Sequence, residues 1–299
     1  MTTIAKEREQ KYEAAPGTVS TAGEVVLAYL DAHAARLKAL APAVRRDEPD
    51  SVHQMRVTTR RLRSALQSFP IVLREPAGRQ LRDELKWLGG VLGVAREAEV
   101  LSEHLRSALA GLPPELVMGP AEARVRVHFA PVEAGARAAV TGALDSDRYF
   151  ALLAELDGLL DHPPLTSDAA KPARAVLAKA VKHTGKRARR RIRRARHTPA
   201  GQNRDAALHE VRKAAKRARY AAEAAKPALG KHARRFAKRM KAVQSVLGDH
   251  HDAVNARTIA REIGVQAHLA GENAFSFGLL HERAHRDAQQ YEREWRQAG

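Results

Sequence analysis

His53, Arg56, Arg60 and Arg63 stand at i, i+3, i+7 and i+10 of one stretch, His53-Gln54-Met55-Arg56-Val57-Thr58-Thr59-Arg60-Arg61-Leu62-Arg63, that reads as a single helix. At about 100° per residue the four fall within roughly 80° of one another. A surface helix ordinarily sets an apolar stripe against scattered charge. Here a whole face is cationic, with a His at its N-terminal end. The pattern returns as His209, Arg212, Lys216 and Arg219 at an offset of 156 residues, with Arg61 matched by Arg217. Each set lines up N–H donors along about 15 Å of helix edge. That is the chemistry of a polyanion site. Arg grips phosphate oxygens with a two-pronged fork and keeps its charge when partly buried. Lys216 keeps the charge of Arg60 and loses the fork. Each His adds a donor whose protonated form a nearby anion stabilises. Like charges on one face repel, and a bound counter-anion relieves that cost. Two such helices facing one another would line a groove with cations from both sides.

A third element repeats at an offset of 155. Lys86-Trp87-Leu88-Gly89-Gly90-Val91-Leu92-Gly93 matches Lys241-Ala242-Val243-Gln244-Ser245-Val246-Leu247-Gly248, and Arg79 matches Arg234. The spacing predicts that both Lys helices end at their Leu-Gly pair. Downstream, Arg96-Glu97 aligns with His251-Asp252, which leaves the role of His250-His251 open. Lys182, Lys186, Arg189, Arg193 and Arg196 share another helical stripe, and Lys38 and Arg45 are related in the same way. A solvated basic face explains these weaker candidates equally well.

Composition fits a polyanion partner. The chain has 52 Lys+Arg against 34 Asp+Glu, a net charge of +18. Between Lys171 and Lys241 lie 25 of those bases and 3 of the acids, so one segment carries the whole excess. Nucleic acid, an anionic membrane surface or a phosphate polymer would each suit it. The absence of Cys excludes disulfides and thiolate chemistry. No apolar run approaches the roughly 18 residues of a membrane span, and Met1–Gly17 lacks the apolar core of a secretory signal. A cytoplasmic location is the default expectation.

The elements that must position these residues are helical throughout. Ala, Leu, Arg, Glu and Lys dominate, and strand-like runs are scarce. The expected class is all-α. Residues 1–18 read as a mobile tail. A first helix opens at Ser20 or Thr21 with Glu24 completing a capping box, and Pro42 ends or kinks it. Asp50 or Ser51 caps the His53 helix, and Pro131 interrupts a later one. Further breaks are expected near Gly264 and Gly271. Residues 161–170 form the candidate linker between a first bundle, 19–160, and a second, 171–299. Repeated elements on either side predict two related helical bundles in tandem.

The paired motifs from His53 and His209, with Leu92-Gly93 and Leu247-Gly248, resemble the CHAD family of helical domains with internal two-fold repeats. The resemblance covers nearly the whole chain after the tail. It implies two four-helix bundles with basic residues lining a central groove or pore, inorganic polyphosphate as ligand, and association with polyphosphate granules. It carries over no catalytic role. Some family members are fused to a triphosphatase-type domain, but Glu97-Ala98-Glu99 lacks the Lys of that domain's Glu-x-Glu-x-Lys motif. The expected protein is a non-catalytic polyphosphate binder without cofactor or metal.

Two rival readings remain. His281-Glu282-Arg283-Ala284-His285 matches the zinc-protease pattern H-E-x-x-H formally, but a catalytic zinc needs a third protein ligand, and no Gly-x-x-His continuation follows. A nucleic-acid-binding protein is the stronger rival, using the same basic helices on a phosphate backbone. Aromatics at 4% leave little for stacking on single strands.

Overall fold

The computed structural model describes residues 20–297, so the expected tail, 1–18, lies outside the described residues. The described chain is all-α. Nine helices follow in order: α1 Ala22–Arg45, α2 Ser51–Ser68, α3 Ala77–Ala110, α4 Ala121–Leu144, α5 Asp147–Asp161, α6 Ala173–His197, α7 Gln202–Ala224, α8 Lys226–Leu269 and α9 Phe275–Gln297. Short 3-10 turns occupy Pro114–Leu116 and Ser167–Ala170.

α1 starts where its capping box dictates. The Thr21 N–H donates to Glu24 Oε2 at 2.7 Å, and the Glu24 N–H donates to Thr21 Oγ1 at 3.2 Å. Its line of Val26, Leu30, Leu37 and Val44 is buried. Pro42 does not end the helix, which continues through it to Arg45 with Ala41 and Val44 buried on either side. Asp50 occupies the N-cap position of α2 in a left-handed conformation without a side-chain cap bond, so the expected Asx-type cap is absent. On α3, Leu81, Leu85, Leu88 and Leu92 recur on one face and are fully buried. Each such Leu contributes roughly 1.5–3 kcal/mol by leaving water.

Several expected breaks are bridged. Leu92-Gly93 lies inside α3 and Leu247-Gly248 inside α8, so neither Lys helix ends there. The apolar faces continue past both glycines, through Ala98, Leu101 and Leu105 in α3 and Ala253, Ala256 and Ala260 in α8. Pro131 lies within α4, whose buried Val125 and Phe129 precede it and Ala136 and Val140 follow. Gly264 is also helical. It brings α8 against Phe277, whose Cβ would meet an added methyl at 3.0 Å. The break at Gly271 is real, with φ at 73°. A second one falls at Gly230, where φ is 55° inside α8.

The chain forms two compact units, each drawing on both halves of the sequence. The first takes Met1–Gly93 in its described part, Ala139–Arg190 and Ala214–Lys241. The second takes Val94–Ala138, Arg191–Lys213 and Ala242–Gly299 in its described part. Within the first unit the segment 161–170 is tied down. Arg74 donates its N–H to Pro164 O at 2.8 Å, and Thr166 donates to Val72 O at 3.1 Å. Within the second, Leu101, Leu105, Val125, Phe129, Ile263, Phe277 and Leu280 share a buried cluster with the small residues Ala256, Ala260 and Ala267. A further cluster joins Ala195, Leu208, Val211, Leu247 and Trp295.

Candidate polyanion-binding site

α2 turns Met55, Leu62 and Ala65 inward, which fixes the opposite edge. His53, Arg56, Arg60 and Arg63 all lie half-buried along that edge. Their stems can pack while their polar ends stay within reach of a ligand. α3 runs antiparallel to α2 in this region. A methyl placed on Gly93 would lie 3.8 Å from Arg56 Nε and Nη2, and one on Gly89 would lie 3.6 Å from the Thr59 methyl. One turn further, Asp83 of α3 acts on Arg63, partly opposing the burial that lowers the guanidinium pKa. Lys86 is exposed on the same side of α3, seven residues before Gly93.

α7 repeats the arrangement. His209, Arg212, Lys216 and Arg219 are half-buried along one edge of the helix. In the second unit, a methyl on Gly248 would lie 3.5 Å from Arg212 Nη2 and 3.6 Å from its Nε. The two Leu-Gly pairs thus do a job that spacing alone could not reveal. In each unit a glycine on the neighbouring helix leaves its backbone open where the motif's first Arg lies across it. Lys241 is exposed on α8, seven residues before Gly248, as Lys86 stands before Gly93.

Glu223 was not singled out by sequence. Within the first unit it meets one Arg from each motif helix, Arg219 Nε at 2.6 Å and Arg61 Nη2 at 3.6 Å. Tyr29 lies beside this group, and burial holds its hydroxyl well above the ordinary phenol range. The first unit therefore brings the C-terminal ends of α2 and α7 together around one carboxylate.

Burial acts on two histidines of the second unit. His209 lies against His251, ring centroids 4.5 Å apart. Burial lowers the His209 pKa to about 4, and His251, Lys213 and Arg212 push the same way while Glu210 opposes. Without an anion beside it, the His209 ring is thus held toward its neutral form. His250 is buried and faces Asp205 at 3.5 Å. Burial keeps it below the usual imidazole range too.

The weaker candidates disperse. Arg45 is committed to the end of α4, donating to Asp145 at 2.8 Å and to Leu144 O at 2.7 Å. Arg79 pairs with Glu75 at 3.5 Å. Lys182, Arg189, Arg193 and Arg234 are exposed. The H-E-x-x-H histidines are engaged with Arg257. His281 Nδ1 donates to its carbonyl at 3.0 Å, and His285 Nδ1 accepts from its guanidinium at 3.0 Å. A cation donating to His285 leaves that nitrogen unfit for a metal. Among the described residues no group of three His, Asp or Glu is placed to hold one. No helix there is long and apolar enough to cross a membrane.

Comparison with known proteins gives a consistent picture. The profile of the family described as CHAD domain matches residues 28–261. Two Mycobacterium tuberculosis proteins, "Uncharacterized protein MT2285" of strain CDC 1551 / Oshkosh and "Uncharacterized protein Rv2226" of strain ATCC 25618 / H37Rv, are each 40% identical over 261 residues. Those matches cover 81% of this chain, which spans about half the length, 46%, of these curated relatives. The fold is similar to PptA from Streptomyces chartreusis, with a TM-score of 0.77 and 22% identity over 93% of this chain and 99% of that one. It is also similar to the crystal structure of the CHAD domain from the plant Ricinus communis, with a TM-score of 0.66 and 28% identity over 89% of this chain and 88% of that one.

Proposed function

Because the chain belongs to the CHAD domain family, we propose that it binds inorganic polyphosphate through the cationic edges of α2 and α7, without catalysing a reaction. CHAD domains are binding rather than catalytic modules, and their family-level association is with polyphosphate. The observation that carries the reading here is the doubled Arg–Gly contact, Arg56 with Gly93 and Arg212 with Gly248. Polyphosphate offers oxygens and nothing else, so its site must present donors in series. The half-buried rows His53, Arg56, Arg60, Arg63 and His209, Arg212, Lys216, Arg219 present them, with Lys86 and Lys241 at their flanks. Arg56 and Arg212 lie against open helix backbone, which limits the side-chain freedom lost on gripping a phosphate. Recruitment of the protein to polyphosphate granules follows from such binding.

The test is a titration of the full chain with long-chain polyphosphate at physiological salt. Replacing Arg56 and Arg212 together by Gln should weaken binding at least about tenfold and flatten the log–log salt dependence by about 0.7 per lost contact. The helical circular dichroism should be retained. Unchanged affinity in a folded double variant would remove the assignment.

A further inference from the structure

A second cationic surface lies in the first unit. Its elements are α6 from Ala173 to Arg190 and α8 from Lys226 to Lys241. These segments hold fourteen Lys+Arg and no Asp or Glu. All fourteen side chains are exposed, and none makes an ion pair among the described residues. The helix between them in sequence is different. On α7, Glu210 pairs with Lys213 at 2.6 Å, and Glu223 holds Arg219. Free repulsion on α6 and α8 costs stability that ion pairs on α7 relieve.

The two basic helices are also side by side. A methyl on Gly185 of α6 would lie 3.0 Å from Phe236 Cζ of α8, and Arg239 stands 6.0 Å over the same ring. Gly185 is what allows that approach, so the charged surfaces are adjoining rather than separate. On α6, Lys179, Arg187 and Arg190 share one exposed stripe at i, i+8 and i+11. That stripe is about 17 Å long, roughly the rise of five base pairs.

From this we infer that the α6–α8 face is a docking surface for the phosphate backbone of a nucleic-acid duplex, read without sequence preference. The chemistry argues against a bilayer and against a single strand, and the experiment below separates a duplex from polyphosphate. An anionic bilayer needs Trp, Phe or Leu beside the cations to enter the headgroup region. The exposed large apolar residues, Val117, Val127 and Leu269 among them, lie outside these two segments. Single strands need stacking platforms, and the one aromatic here, Phe236, is half-buried under Arg239. A duplex backbone needs only spaced, solvent-facing donors, preferably the Arg forks that supply four of the seven cations on this part of α6. The stripe of Lys179, Arg187 and Arg190 uses none of the residues assigned to the polyphosphate edges, and Lys241 at the end of the α8 segment is the one cation the two surfaces share.

The experiment measures anisotropy of a labelled 20-base-pair duplex of arbitrary sequence with the full chain, between 50 and 200 mM salt. The variant is Lys179→Gln with Arg187→Gln and Arg190→Gln, whose exposed side chains make no intramolecular ion pair. Wild type should bind steeply salt-dependently. The variant should bind at least about tenfold more weakly, with a log–log slope shallower by two to three, since each phosphate contact on a duplex contributes about 0.9. Its polyphosphate affinity should stay within about twofold of wild type. Absence of duplex binding by wild type overturns the inference. So does an equal loss of duplex and polyphosphate binding, which would make this face part of the polyphosphate site. Loss of binding to phosphatidylserine vesicles with duplex binding unchanged would assign it to a membrane instead. Should wild type ignore polyphosphate yet lose duplex binding in the variant, the polyphosphate reading fails and this one stands.

Discussion

Arg56 on Gly93 and Arg212 on Gly248 are alike in contact and unlike in surroundings. Beside Arg212 the second unit sets His209 against His251, with the His209 pKa lowered to about 4. Asp249 is there too, held above the usual carboxylate range by burial and by Asp252, with Arg212 opposing. The positions matched to Asp249–Asp252 in the first half of the sequence are Val94, Ala95, Arg96 and Glu97. Val94 is 57% exposed, and Arg96 pairs with Glu99 at 2.9 Å. The same Arg-on-glycine contact therefore occurs once without a titrating pair at those matched positions and once beside a pair of histidines. Beside Arg212 the neighbouring histidine is held toward its neutral form by burial and by the surrounding cations.

The entries to the two motif helices differ as well, and there the largest effect is expected. Glu48 and Arg204 stand at matched positions before α2 and within the first turn of α7. Glu48 is exposed and pairs with Arg46 at 2.6 Å. Arg204 is 6% exposed, donating to Thr198 O at 2.6 Å and to Glu292 at 2.5 Å. Removing Arg204 takes a donor from the Thr198 carbonyl and leaves Glu292 only its more exposed partner Arg296, at 2.7 Å. Arg204→Ala should cost about 2–3 kcal/mol in urea denaturation, whereas Glu48→Ala should cost under about 0.5 kcal/mol. Similar losses for both would erase the asymmetry.

Proton coupling comes next in size. A folded His209 with its pKa near 4 binds its proton less readily than the unfolded chain does near 6.5. Its contribution to stability is thus fully present above pH 6.5 and is lost as pH falls toward 4. A bound polyanion reverses the preference by favouring the imidazolium against Arg212, Lys213 and His251. Polyphosphate affinity should rise roughly tenfold from pH 7 to pH 5, since each unit of pKa change is a factor of about ten. His209→Gln should flatten that profile. A flat profile in the wild type would end the distinction between the two regions.

What sequence could and could not reveal follows the same division. The capping box at Thr21 and Glu24, the Leu face of α3 and both cationic edges were legible, because each is a local pattern with one periodicity. The glycines were misread. A Leu-Gly after a helical run is equally the end of a helix and a bare patch of backbone inside one, and only the arrival of Arg56 or Arg212 from another helix decides. Pro131 misled for a related reason, since tertiary burial on both sides of it outweighs one missing hydrogen bond. Glu223 was invisible because its meaning depends on Arg61, which is distant in sequence.

The smallest effects test the glycines themselves. Gly93 and Gly248 are both helix-interior positions, where Ala is favoured by up to about 1 kcal/mol. At Gly93 the added methyl would make ordinary contact with Arg56 at 3.8 Å, so Gly93→Ala should raise the melting temperature and leave polyphosphate affinity unchanged. Gly248 is buried, and its methyl would come to 3.5 Å of Arg212 Nη2. There the gain in Tm should be smaller, with affinity falling about twofold as the fork is edged off the backbone, an effect of a few tenths of a kcal/mol. Leu at either position must displace the guanidinium altogether. Gly93→Leu should then weaken binding as much as Arg56→Gln does, and a Leu variant that binds like wild type would mean that the open backbone does not position the arginine.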